Sequence, residues 1–197
     1  MEEQTKSTLR RKNDWRFVNR WIKGKLLDVG CGNNPINMDD WPLVTEVVGY
    51  DRELGNVDAQ FLPEIKDGEF DTVYSSHCLE HIRDTRSALT NWLRVLRPGG
   101  FLVVSVPEEL LYENARWPSR YNSDHKVSFT LRSMPLIPSS INIAALLWKL
   151  PVDLEHVSLL TEGWDPRAVG RDQTMAGAEC AIECVARKLL PPNVMPW

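Results

Sequence analysis

Nowhere in this chain do two cysteines form a C-x-x-C pair; the four cysteines of its 197 residues stand at 31, 78, 180 and 184. Cys180 and Cys184 share a strand face at even spacing but lie too far apart along it for an easy bridge. The expectation is four reduced thiols in a cytoplasmic protein, with no cysteine-bound zinc. Apolar runs of membrane-spanning length are missing as well, so no membrane segment is expected. The start, Met1-Glu2-Glu3-Gln4, is acidic and polar, unlike a secretion signal. Positive charge is not in excess: the formal net charge is −4, without the global basic footprint of a nucleic-acid binder. Repeats, low-complexity tracts and interdomain linkers are also lacking. One domain over residues 1–197 is therefore expected, with a leading helix in 1–24, a substrate-side insertion and late helix in 107–150, and a Pro-rich tail in 189–197. A hydrophobic fraction of 43% and a charged fraction of 25% suit an ordinary globular fold.

What is present is organised around Leu26-Leu27-Asp28-Val29-Gly30-Cys31-Gly32-Asn33-Asn34-Pro35. The apolar residues read as a short buried strand over 25–29. Gly30 and Gly32 let the chain turn sharply and leave no side chain between backbone and ligand. A second strand, 46–50, ends at Asp51, about 20 residues past the glycines, the spacing that sets an acid over a ribose. A dinucleotide fingerprint G-x-G-x-x-G, counted from Gly30, would place its last glycine at 35, where Pro35 stands. There is also no room for a full helix before the second strand. Asn33-Asn34-Pro35 reads as a turn. The loop therefore suits a nucleoside without a pyrophosphate. Asp28 either accepts from a ligand ammonium or orders the loop.

Further elements follow in order. Residues 8–22 have the spacing of an amphipathic helix, with Trp15, Val18, Trp21 and Ile22 against the sheet edge. Residues 1–25 carry eight basic side chains against three acids, which reads either as a solvated helix face or as a contact surface for an anionic partner. Residues 56–63 read as a third strand with its exit loop, 69–75 as a fourth, 86–96 as a helix, and 101–106 as a buried fifth strand after the turn at Arg97-Pro98-Gly99-Gly100. Ser128–Ser133 looks like the start of a late helix, which Pro138-Ser139-Ser140 could also open. Residues 152–160 and 178–187 read as two late strands, the last one antiparallel.

These motifs together resemble class I S-adenosylmethionine-dependent methyltransferases of the type 11-like group. The pattern Asp28-x-Gly30-x-Gly32 resembles their acid-x-G-x-G-x-G loop, departing at Asn34. Arg94-Val95-Leu96-Arg97-Pro98-Gly99-Gly100 is close to their R-V-L-K-P-G-G turn, and Leu79-Glu80-His81 follows the fourth strand as it does in many of them. The resemblance covers Leu26 to Lys188. It implies a Rossmann-like, doubly wound α/β fold: a mostly parallel seven-stranded sheet, an antiparallel last strand, and helices on both faces. It implies S-adenosyl-L-methionine as cofactor, held by Asp28, Gly30, Cys31, Gly32, Asp51, Arg52, Asp58, Ala59 and Ser75. In the family an acid such as Asp58 accepts from the adenine amino group, with the next backbone amide reading a ring nitrogen.

The resemblance does not name the acceptor. Base-modifying relatives carry Asn/Asp-Pro-Pro-aromatic where this chain has Ser75-Ser76-His77-Cys78, which disfavours base amino methylation. A small polar acceptor such as a sugar or other metabolite, methylated at oxygen or nitrogen, is the first expectation. The alternatives are a nucleic-acid methyltransferase and a cofactor-binding protein without chemistry. The loop 107–126 mixes aromatic, basic, acidic and amide residues without a period, and Tyr112, Trp117, Arg120, Tyr121 and Asp124 are expected to meet the acceptor. In-line displacement at the methyl carbon asks for no metal among these residues. A general base near neutral pH points to histidine. His77 and His81 follow the fourth strand, and His125 stands beside Asp124; His125 is slightly favoured as base. His156, on a candidate edge strand, is set aside.

Overall fold

The structure, a computed structural model, describes residues 10–191. Residues 10–13 are helical, the helix is interrupted at Asp14, and helix α1 runs Trp15–Trp21. The Asp14 carboxylate accepts from the amides of Arg16 and Phe17, an N-cap that restarts the helix. The one continuous helix expected over 8–22 is therefore split, with residues 8 and 9 outside the described range. Phe17, Val18 and Trp21 form its buried stripe. Trp15, expected to pack against the sheet edge, is 66% exposed. As first residue of the restarted helix it falls off that stripe, and the Arg16 guanidinium covers its ring.

The strands are β1 (Gly24–Val29), β2 (Val44–Tyr50), β3 (Phe70–Ser76), β4 (Leu96–Pro107), the two-residue pair β5 (Phe129–Thr130) and β6 (Ile141–Asn142), β7 (Val152–Leu160) and β8 (Ala181–Lys188). Helix α2 is Thr85–Val95 and α3 is Ile143–Leu147. The main sheet runs β2-β1-β3-β4-β8-β7, and β5 and β6 pair separately. The pairs among β1 to β4 are parallel, and β8 is antiparallel to both β4 and β7. This is the Rossmann-like fold with an antiparallel last strand, in six strands rather than seven.

Period-two alternation sorts the core. Leu26, Tyr74, Val103 and Val185 join Phe17, Val18, Trp21 and Ile22 in one cluster. Leu27, Val73, Leu102 and Cys184 join Leu89, Trp92 and Leu93 of α2 in the other. The two helices thus cover opposite faces of the sheet.

The strand expected at 56–63 does not form. Its carbonyls are taken by α2 instead of by a neighbouring strand: Trp92 Nε1 donates to Ala59 O at 2.7 Å, and Arg94 donates to the carbonyls of Phe61 and Leu62 and, just beyond, of Ile65. The helix start expected at 128–133 is also corrected, because Phe129 and Thr130 pair with Ile141 and Asn142. α3 then opens at Asn142, whose side chain accepts from Ala145 N, and not at Pro138-Ser139-Ser140. β8 begins at Ala181, so Cys180 just precedes it. All four cysteines are buried, and none is joined in a disulfide. The tail beyond residue 191 lies outside the described residues. Among the described residues, no helix is long and apolar enough to cross a membrane.

The basic leading segment is neither fully solvated nor free. Arg11 is wholly buried, donating to Glu183, the Tyr74 hydroxyl and Ser105 Oγ. Arg10 binds Glu179 and Glu183, Lys12 meets Asp40, and Arg20 reaches Glu155. Burial alone would raise Glu183, but the Arg11 charge, with help from His156 and Arg10, holds it down at about 2.

Candidate active site

The carboxyl ends of β1, β2 and β3 open on one cavity of about 640 Å³, within the roughly 300–1,000 Å³ of ligand pockets. Gly30 and Gly32 enter it from β1, Asp51 from β2, His77 and Cys78 from β3, and Asp58 and Ala59 from the segment Arg94 and Trp92 hold. Open α/β sheets bind ligands at this edge.

The two glycines do different work. Gly30 has φ +79, and a Cβ there would lie 2.3 Å from Cys78 Cβ, so the turn after β1 packs directly on Cys78, two residues past β3. Gly32 has φ +57, and a Cβ there would approach within 4 Å only Glu53 Oε2, at 3.8 Å. A side chain at 32 would project into the cavity. Asp51 ties the loop to the tip of β2: Oδ2 accepts from Gly32 N and Oδ1 from Glu53 N, each at 3.0 Å. Asn56 Oδ1 in turn accepts from Asp51 N at 3.0 Å. The site therefore presents a carboxylate with spare lone pairs above a bare backbone turn, a cradle that fits a ribose.

Asp28 is completely buried and does not line the cavity. Its Oδ2 accepts from Ile36 N at 2.9 Å, and its Oδ1 is buried with no partner. It orders the loop, and burial pushes it up to about 7. Cys31 and Ser75 are buried and also stand outside the lining. Burial pushes the Cys31 thiol up to about 12. Arg52 lines the cavity, and so do Glu53, Asn56, Gln60, Ile82 and Arg83, which the sequence reading did not single out. Gly55, left-handed at φ 87, could have flagged the turn that brings Asn56 back beside Asp51.

The opposite wall is built on histidine and carboxylate. His77 follows β3 directly with φ 56, a left-handed backbone rare for a side-chain-bearing residue and common at functional sites. His77 Nδ1 lies 3.5 Å from Glu80 Oε1. His81, in the short helical turn Leu79–His81, sets Nδ1 2.8 Å from Asp124 Oδ2. Lys126 holds the other Asp124 oxygen at 2.7 Å, and Lys126 first, then His81, keeps that carboxyl below its usual range. His81, Asp124 and Lys126 all line the cavity.

His125, the favoured base, is instead buried behind this wall and outside the lining. Its Nδ1 meets Glu113 Oε1 at 2.7 Å, and its ring packs on Tyr112 and His81 at centroid distances of 5.3 and 5.1 Å. Tyr112 is buried against Tyr121, Trp117 is half-buried and Arg120 is exposed. Of the five expected acceptor contacts, only Asp124 reaches the cavity. The other four stand outside its lining, and loop sequence does not show which side chains turn towards a cavity.

Fold and cavity together define a class I S-adenosylmethionine-dependent methyltransferase. The sequence pattern of the family described as a methyltransferase domain matches residues 7–162, and the chain belongs to that family. No curated protein matches its sequence. Among solved structures, it is similar to the chain of a complex between the Haloferax volcanii Trm112 methyltransferase activator and a methyltransferase, at 12% identity and TM-score 0.65, covering 95% of this chain and 94% of that one. A methyltransferase from Mesorhizobium loti dependent on S-adenosylmethionine is 17% identical at TM-score 0.58, covering 89% and 96%. One from Archaeoglobus fulgidus is 15% identical at TM-score 0.57, covering 94% of each chain. The cofactor is S-adenosyl-L-methionine.

Proposed function

We propose that this methyltransferase acts on the hydroxyl of a small polar acceptor and that His81 takes the acceptor's proton. The carrying observation is the Asp124–His81 pair: a ring lining the cavity with Nδ1 2.8 Å from a carboxylate. A carboxylate on Nδ1 selects the tautomer with a lone pair on Nε2 and stabilises the imidazolium that forms. Lys126 fixes Asp124 from its far side.

Bound S-adenosylmethionine supplies a methyl group on a sulfonium, a good leaving group, so alignment can supply most of the rate. In this reading Asp51 accepts from the ribose hydroxyls, Gly32 leaves the cradle open, and Asp58 with the Ala59 amide reads the adenine edge. Asp28 keeps the loop in shape through Ile36 N. Transfer of that methyl group to the acceptor oxygen would leave the carbon–sulfur electron pair on sulfur. The proton passes to His81 Nε2. Cys31 and Ser75 support the strand ends, and Tyr112 with Tyr121 backs the histidine wall.

The test is transfer from methyl-labelled cofactor to a panel of small hydroxyl, carboxylate and amine acceptors, run with His81→Gln beside the unchanged protein. A hydroxyl acceptor with a hundredfold or larger loss in His81→Gln is the expected result, the scale of a lost general base. Turnover unchanged in His81→Gln would overturn the assignment.

A further inference from the structure

Three side chains at the histidine wall converge in a way that proton transfer alone does not use. Glu80, His81 and His125 each offer a ligand atom within 4.8 Å of the other two. Both rings already have their Nδ1 engaged, His125 by Glu113 at 2.7 Å and His81 by Asp124 at 2.8 Å. A carboxylate on one imidazole nitrogen fixes the ring and raises the basicity of the other nitrogen, the outer-shell arrangement of histidine-ligated metals. Glu80 supplies the independent observation. It is 1% exposed; Oε1 faces His77, but Oε2 is buried with no hydrogen-bond partner. A buried carboxylate oxygen without a donor is unfavourable, and a cation would satisfy it. Glu80, Glu113 and Asp124 bring three carboxylates to the wall against Lys126.

We propose that Glu80, His81 and His125 bind a divalent transition cation, zinc above all, and that the cation switches methyl transfer off. Two imidazoles and one carboxylate suit zinc, cobalt or nickel, whereas magnesium and calcium favour all-oxygen sets. Bonds of roughly 2 Å bring tetrahedral ligands within about 3.5 Å of each other, so the cluster closes in on the ion. The half-exposed His81 ring is the member freest to move. The switch half rests on His81 as the base: Nε2 cannot hold a cation and take a proton at once.

Cobalt(II) added to chelator-treated protein tests the site directly, by its visible absorption, and zinc should displace it. One equivalent is expected to bind. His125→Gln and Glu80→Gln should each weaken binding at least tenfold, and Glu113→Gln also about tenfold. S-adenosylhomocysteine affinity, read by calorimetry, should stay unchanged in His125→Gln as the check on folding. Protein that binds S-adenosylhomocysteine but takes up no cobalt overturns the site. Equal cobalt affinity in His125→Gln and in the unchanged protein overturns its placement. In the acceptor assay zinc should lower turnover and chelator restore it. One equivalent bound with turnover raised would overturn the switch and the base assignment of His81 while leaving the site standing.

Discussion

Replacing Asp51 with alanine probes the cofactor end of the cavity, and its effect splits into two measurable parts. The carboxylate accepts from Gly32 N and Glu53 N, both at 3.0 Å, at a partly exposed position. Water can replace it at those amides, so the loss there stays near 1 kcal/mol, the net value of an ordinary hydrogen bond. Its remaining lone pairs are the ones assigned to the ribose hydroxyls, where bonds to a charged acceptor contribute about 1.5–3 kcal/mol. Cofactor affinity in Asp51→Ala should therefore fall roughly 10- to 150-fold, at about 1.4 kcal/mol per tenfold. Urea unfolding should report a stability loss of only about 1 kcal/mol. The assay is calorimetric titration with S-adenosylhomocysteine. Affinity within twofold of the unchanged protein, with folding intact, would refute the placement of the ribose on Asp51.

Three other outcomes are expected. Asp124→Asn should lower turnover on the acceptor found, shift its pH profile and leave S-adenosylhomocysteine binding alone; a shift in that binding instead would remove Asp124 from the acceptor side. Glu183, held at about 2 against its ordinary 4.5 by Arg11, contributes stability present above pH 4.5 and lost as pH falls towards 2. At roughly 1.36 kcal/mol per pH unit this is about 3 kcal/mol, and Arg11→Met should shrink that acid limb in denaturation curves measured between pH 5 and 2. Asp28, raised by burial from 3.8 to about 7, is costly to ionise in the fold. The stabilisation by Asp28→Asn should therefore grow from pH 5 to 7 and level off above, and an equal effect at pH 5 and 8 would contradict this sign.

The sequence made the sheet legible where local pattern and tertiary need coincide. Leu26 to Val29 and Val47 to Tyr50 are apolar runs ended by Gly30 and Asp51, and each forms a parallel strand that delivers the expected residue to the cavity. Residues 56–63, with Val57, Ala59, Phe61 and Leu62, form a loop instead, because Trp92 and Arg94, some 30 residues away, bind their carbonyls. Arg11 reads as one more surface charge until Glu183, Tyr74 and Ser105 are brought around it. The histidine wall was legible as a set of candidates, not as an order among them. Asp124 and His125 are adjacent in sequence, yet Asp124 pairs with His81 while His125 turns inward to Glu113. Pairing across 43 residues leaves no mark in local sequence.

A crystal soaked with S-adenosylhomocysteine tests the whole arrangement at once. The ribose hydroxyls should lie within hydrogen-bond reach of Asp51, the adenine against Asp58 and Ala59, and the sulfur should face the wall formed by His77 and His81. A nucleoside bound the other way round, with its sulfur turned from His81 and its ribose away from Asp51, would contradict both the cofactor placement and the base.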